Sequence, residues 1–207
     1  MAMKYTKKNP PLVCMMDNST CYKNTDYMEV KGILLHSTGA NNPTLKRYVQ
    51  PSSWDSNYNF LISKIGKNIY GNDWNNIYIN AGLNAWIGKL ADNSVAAVQT
   101  MPWDYRPWGC GSGKNGSCNN GWIQFEICED SLNDENYFNK VYQEACELTA
   151  YLCKMYNINP YFVELPISCF PLPMPIPYQT QILHSQCKPA AFHREVPFAH
   201  LSAPVLP

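Results

Sequence analysis

Two side chains able to do acid–base or metal chemistry stand out because each is embedded in an apolar run. His36 closes Lys31-Gly-Ile-Leu-Leu-His-Ser-Thr-Gly-Ala40, where Ile33, Leu34 and Leu35 read as a short buried strand that breaks at Ser37-Thr38-Gly39. Three consecutive apolar residues predict a strand covered on both faces, and a strand end held by the core presents a functional group rigidly. His36 is the only histidine in the first 183 residues; His184, His193 and His200 follow. Glu126 sits inside Trp122-Ile-Gln-Phe-Glu-Ile-Cys128. A carboxylate on such a strand must face a cleft, a cation or a hydrogen-bond donor, because burying it unpaired is costly. A histidine ligand and a carboxylate that takes and returns a proton are what a metal-assisted attack of water on an amide requires. Each residue taken alone also reads as an ordinary hydrogen-bonded structural group.

The elements that position them follow from pattern. Leu83-Asn-Ala-Trp-Ile-Gly88 and Val95-Ala-Ala-Val-Gln-Thr100 flank Lys89-Leu-Ala-Asp-Asn-Ser94, which predicts a β-hairpin. Residues 122–128, apolar on both faces, predict a central strand. Asp130-Ser-Leu-Asn-Asp-Glu135 supplies capping groups for a helix from Asn136 to about Asn157. There Phe138, Val141, Tyr142, Ala145, Leu148, Leu152, Met155 and Tyr156 recur at steps of three and four. Residues 41–49 predict a loop leading into a short helix, 50–80 loops with one helical turn, and 102–121 a long loop. Strands interspersed with helices predict an α/β domain with a central sheet flanked by helices. Residues 1–30 read as an irregular arm.

At 207 residues the chain accommodates one domain with a full core. Charged residues make up 15% and cancel to zero, which gives no electrostatic case for nucleic acid or an anionic membrane surface. Aromatic residues are rich at 13%, with 14 Tyr and 6 Trp, as in a groove that stacks on sugars or peptides; an aromatic core explains them nearly as well. No stretch has the make-up of a secretory leader, and no window approaches 18 uninterrupted apolar residues, so synthesis in the cytoplasm is expected. Nine cysteines without a CxxC pair disfavour a structural zinc knuckle and read mostly as reduced, buried small hydrophobes, with Cys110 and Cys118 exposed in a Gly-rich loop.

Residues 31–157 resemble the zinc-dependent N-acetylmuramoyl-L-alanine amidases of the type-2 amidase and peptidoglycan-recognition group, in particular the amidase domains of clostridial phage endolysins. The resemblance is carried by four blocks in order. They are Gly32-Ile-Leu-Leu-His-Ser-Thr-Gly-Ala-Asn-Asn42 and Ala81-Gly-Leu-Asn-Ala-Trp-Ile-Gly-Lys-Leu-Ala-Asp92, then Gln99-Thr-Met-Pro-Trp-Asp-Tyr-Arg-Pro-Trp-Gly-Cys-Gly-Ser-Gly113 and Asn119-Asn-Gly-Trp-Ile-Gln-Phe-Glu-Ile-Cys-Glu-Asp130. It implies a mixed sheet, a groove for bacterial peptidoglycan, one Zn2+, and hydrolysis of the amide between the muramic acid lactyl group and L-alanine. On this resemblance His36 is the first zinc ligand, Glu126 the general acid/base, and Asn84, Trp103 and Trp108 line the groove. An endolysin would wait in the cytoplasm and act on the wall after release.

The chain departs from the family after the long helix, where two further zinc ligands are expected. Residues 160–207 hold 10 of the 16 prolines, and no glycine follows Gly121. Cys169-Phe-Pro-Leu-Pro-Met-Pro-Ile-Pro177 reads as extended, polyproline-like chain. His184 is the best stand-in for the second ligand; Cys187, His193 and His200 are available for the third, His193 standing in a vaguely family-like turn. A frame shift near residue 160 explains the abrupt change; genuine divergence is the rival. Tyr78 also stands where relatives carry glutamate. Two alternatives to the zinc amidase stay open: a peptidoglycan-binding relative with an incomplete metal site, and a cysteine hydrolase using Cys110 or Cys118.

Overall fold

The computed structural model describes residues 3–112, 116–130 and 133–160. His184, His193, His200 and Cys187 therefore lie outside the described residues. The elements in order are β1 (Leu12–Val13), α1 (Thr20–Asn24), β2 (Gly32–Ser37), a 3-10 turn (Leu45–Arg47), α2 (Tyr58–Ile65), β3 (Ala85–Lys89), β4 (Val95–Gln99), β5 (Trp122–Ile127) and α3 (Glu135–Tyr156).

The strands form one mixed sheet in the order β1-β4-β3-β5-β2. The expected hairpin is present: β3 and β4 run antiparallel, pairing Ala85 with Gln99 through Lys89 with Val95. Its turn closes with Asn93 in the left-handed region at φ 65, which asparagine tolerates better than most residues. Leu90 donates to the Ser94 carbonyl at 2.8 Å, and Asp92 accepts from the Ser94 amide at 2.9 Å. β5 is central, parallel to both β3 and β2. The strand carrying His36 has β5 as its neighbour; Gly32, Ile33 and Leu34 are buried, and Leu35 to Ser37 emerge half-buried.

The period-2 alternation of the sheet separates two cores. On one face Ile33, Ala85, Ile87, Ala97, Ile123 and Phe125 pack against α3. On the other, Trp86 and Val98 meet Leu45, Tyr48, Val49, Leu61 and Ile65 from the 3-10 turn and α2. Residues in register on parallel strands share a face, so His36 and Glu126 lie together on this second face with Trp86 beside them.

α3 starts at Asp134, whose carboxylate accepts from the Tyr137 amide at 2.9 Å, and ends at Asn157 in the left-handed conformation. Its buried stripe is Tyr137, Val141, Glu144, Ala145, Leu148, Tyr151 and Leu152. The sequence pattern put Phe138 and Tyr142 on that stripe. Instead Phe138 is exposed and the two rings stack on each other at 6.0 Å. The rotation is explained by Glu144, which the sequence pattern left out: its carboxylate accepts from the Ala97 amide at 2.9 Å, from the Tyr5 hydroxyl and from the Lys4 ammonium. A carboxylate so surrounded is buried without an unmet hydrogen-bonding requirement.

The arm is more ordered than its composition suggests. β1 adds a parallel strand to β4, α1 is capped by Ser19, and Cys14, Met16 and Cys21 are fully buried. Residues 50–80 also hold more helix than one turn, because Leu61 and Ile65 are spaced to bury one face of α2. Among the described residues no helix is long and apolar enough to cross a membrane.

Candidate active site

His36 and Glu126 are direct partners in the β2–β5 register, which brings together side chains far apart in the sequence. Burial lowers the His36 pKa below the ordinary histidine value, partly countered by a hydrogen bond to Gln124. The ring is therefore neutral at pH 7, the form that binds a metal. Burial, with the nearby Glu129 charge, pushes Glu126 up to about 7. Among the described residues no hydrogen-bond donor meets its carboxylate. A half-buried carboxyl near pKa 7, with no hydrogen-bond donor on it among the described residues, can both take and give a proton at neutral pH.

Around this pair lies a polar layer that sequence inspection did not single out. The His36 Nε2 is 2.8 Å from Gln124 Oε1, and the Cys110 Sγ is 3.4 Å from the same oxygen and 3.9 Å from Nε2. Gln124 is fully buried on the same strand face as Glu126, two residues earlier. Its Nε2 donates to Asn119 Oδ1 at 3.1 Å. Tyr48 lies in the core on the same side of the sheet, its ring stacked on Trp86 at 4.9 Å. The signal for Gln124 was present in the sequence, since a polar residue two positions before Glu126 in an apolar strand must share its face.

Two of the expected groove residues sit elsewhere. Asn84 is fully buried; its Nδ2 donates to the Pro102 and Tyr105 carbonyls, both at 2.9 Å, and its Oδ1 accepts from the Gln124 amide at 2.9 Å. It fixes the loop after β4 to β5 and has no free polar atom for a ligand. Trp103 is buried in the core on the α3 face, opposite His36. Trp108 is half-buried, with an indole N–H that meets no acceptor among the described residues. Cys118, expected to be exposed, is buried beside Leu34. The Cys110 thiol is pushed up to about 11 by burial, with the Gln124 bond opposing, which favours the protonated thiol at neutral pH over the thiolate that a nucleophile requires.

As a metal centre, the described residues supply one ligand. His36 has the right protonation state, and the base beside it is the right chemistry. Among the described residues no group of three His, Cys, Asp or Glu side chains converges. By protonation state and position His36 is fit to serve as a metal ligand, and among the described residues it stands without two further ligands.

Comparison with known proteins extends these observations. The catalytic domain of PlyG, known from a solution structure, matches with a TM-score of 0.54 and 19% identity over 88% of this chain and 98% of that one. This shares the fold and no more at that identity. PlyL matches at a TM-score of 0.43 and 20% identity, covering 78% of each chain, and the Staphylococcus aureus hydrolase AmiA, solved with its ligand, at 0.39 and 19% over 75% of this chain and 56% of that one. No curated protein sequence matches. The family model described as N-acetylmuramoyl-L-alanine amidase matches residues 26–168, well over half of the chain. That span contains β2, β5 and the paired His36 and Glu126, and the chain belongs to the N-acetylmuramoyl-L-alanine amidase family.

Proposed function

We propose that this protein is a zinc-dependent amidase of endolysin type that hydrolyses the lactyl–L-alanine amide of bacterial peptidoglycan. The observation that carries the reading is the register pairing of His36 with Glu126 inside the family match. A zinc ion held by His36 and two residues beyond those described, with His184 and His193 the leading choices, would polarise the amide carbonyl and lower the pKa of a water. Glu126 takes the proton from the attacking water as the C–O bond forms. It returns that proton to the L-alanine nitrogen as the C–N bond breaks, leaving a lactyl carboxylate and a free amine. A carboxyl of pKa near 7 suits both halves of this transfer. The neutral balance of charge gives no electrostatic case for a polyanionic substrate such as nucleic acid, and action on the wall after release from the cytoplasm completes the reading.

The test is zinc content of the dialysed full-length protein, measured with the appearance of new N-terminal L-alanine amines on purified cell walls. About one zinc per chain, lost in His36→Ala, and amine appearance slowed at least ~10²-fold in Glu126→Gln support the reading. A folded protein that binds walls but holds no zinc and exposes no N-terminal alanine overturns it in favour of a binding-only relative. The second outcome has a specific basis: the described residues hold one candidate ligand.

A further inference from the structure

We infer that Gln124 is a positioning residue that holds His36 as the tautomer protonated on Nε2, so that Nδ1 is the ring's single nitrogen with a free lone pair. The assignment follows from backbone groups whose polarity is unambiguous. The amides of Gly109 and Cys110 donate to one Asn119 side-chain atom at 3.2 and 2.9 Å, so that atom is the oxygen. The other Asn119 atom lies 2.8 Å from the Cys110 carbonyl, so it is the nitrogen. Since Asn119 Oδ1 can only accept, the Gln124 atom 3.1 Å from it is the donating Nε2. Gln124 Oε1 then necessarily faces His36, and its two lone pairs take the Nε2–H of His36 at 2.8 Å and the thiol of Cys110 at 3.4 Å. Every polar atom in the chain from backbone to imidazole is accounted for, and no rotation of either amide preserves the donors and acceptors.

Two further features hold this arrangement. The Gln124 main chain is fixed on both sides: its amide donates to Asn84 Oδ1 at 2.9 Å, and its carbonyl accepts from the Asn84 amide at 2.8 Å. The loop closes over the carboxamide at a glycine. A Cβ on Gly109 would stand 2.3 Å from Gln124 Oε1 and 2.5 Å from Leu83 Cδ2. Gly109 is not among the glycines with positive φ, so a side chain there is opposed by Gln124 Oε1 and Leu83 Cδ2 and not by backbone conformation.

The consequence for function rests on the zinc reading: a ligating histidine that donates its other N–H is oriented and made more basic. The tautomer itself does not depend on that reading. The experiment is long-range proton–nitrogen NMR on the metal-free full chain labelled with 15N-histidine, with His36 assigned by its absence in His36→Ala. The expected pattern is a protonated, slowly exchanging Nε2–H and an unprotonated Nδ1. In Gln124→Leu and in Gly109→Ala the slow exchange is lost, whereas Gln124→Glu, which keeps an acceptor, retains it. Zinc affinity, read by competition with a chromogenic chelator, is expected to fall about 10- to 100-fold in Gln124→Leu and to recover in Gln124→Glu. A proton on Nδ1, or rapid exchange between tautomers in the unsubstituted protein, overturns the inference regardless of how the variants fold. Unchanged zinc affinity in a folded Gln124→Leu overturns the positioning role. If the unsubstituted protein shows the expected tautomer but binds no zinc, the zinc reading fails and the assignment of Gln124 stands.

Discussion

At the scale of the residue, the site is defined by how burial shifts two groups in opposite directions. Withdrawal from water disfavours charge on both, so the histidine is held as the neutral imidazole and the glutamate becomes an acid of pKa near 7. The second shift has a stability consequence. Because the folded-state pKa of Glu126 lies above its ordinary value of 4.5, the folded state holds an extra proton between about 4.5 and 7. Stability is then lost as pH rises through that window, the reverse of a salt-bridged carboxylate. At 1.36 kcal/mol per unit the loss is on the order of 3 kcal/mol at most. Glu126→Gln should therefore be more stable relative to the unsubstituted protein at pH 8 than at pH 4. Urea denaturation of both proteins in the presence of a chelator checks this, and a gap that does not widen with pH would count against the burial of the carboxylate. Cys110 offers a complementary measurement. With the thiol pushed up to about 11, its alkylation should be slow at pH 7 and accelerate steeply above pH 9, unlike that of a catalytic thiolate.

At the scale of the element, α3 is the buttress of the site. It lies on the face of the sheet opposite His36 and Glu126, against β3 and β4, and shares the core there with Ile33, Ile123 and Phe125 from the strands that carry them. Its start depends on one side chain. Asp134 caps the first turn through the Tyr137 amide, and the Tyr137 hydroxyl in turn donates to the Cys128 carbonyl just beyond β5, at 2.5 Å. Asp134→Ala should lower stability by about 1 kcal/mol, with the usual range for lost caps of ~0.5–2. Asp134→Asn should recover most of it, because the amide oxygen caps as well. Thermal melts of the two variants distinguish a cap from a charge effect. Much of α3 was legible in its sequence, because three- and four-residue spacing is a local property. Its exact facing was not. Phe138 and Tyr142 matched the spacing as well as Tyr137 and Tyr151 did, and the choice between them was made by Glu144 meeting Tyr5, Lys4 and the Ala97 amide across the core.

At the scale of the whole molecule, the arm before β2 is part of the domain. Its composition reads as irregular, but β1 pairs with β4, and Met16 and Cys14 are sealed against Leu45, Val49 and Trp86 on the site's side of the sheet. Met16→Ala should cost about 2–5 kcal/mol, the range for truncating a fully buried side chain of this size. Removal of residues 3–16 should in addition lower the unfolding midpoint and expose the β4 edge to intermolecular pairing, seen as concentration-dependent light scattering. A truncated chain with an unchanged midpoint would mean the arm is an appendage.

By itself the sequence determined which local elements form and which side chains in them are chemically able. The hairpin, the central strand, the long helix, His36 and Glu126 are all visible there, because periodicity, turn residues and capping act within a few positions. The tertiary structure alone decided which able groups meet. Strand register sets His36 beside Glu126 and the Gln124 carboxamide against the imidazole, while it carries Trp103 to the other face and closes Asn84 inside the core. In sequence Asn84 lies in the first run of the hairpin, and nothing local shows what its side chain meets. Only the carbonyls of Pro102 and Tyr105 and the amide of Gln124, brought to it across the fold, reveal that its hydrogen bonds are taken. Hydrogen-bond partners for a buried polar atom come from whatever backbone the fold places within 3 Å, and that proximity is a property of the assembled sheet, written in no single stretch of chain.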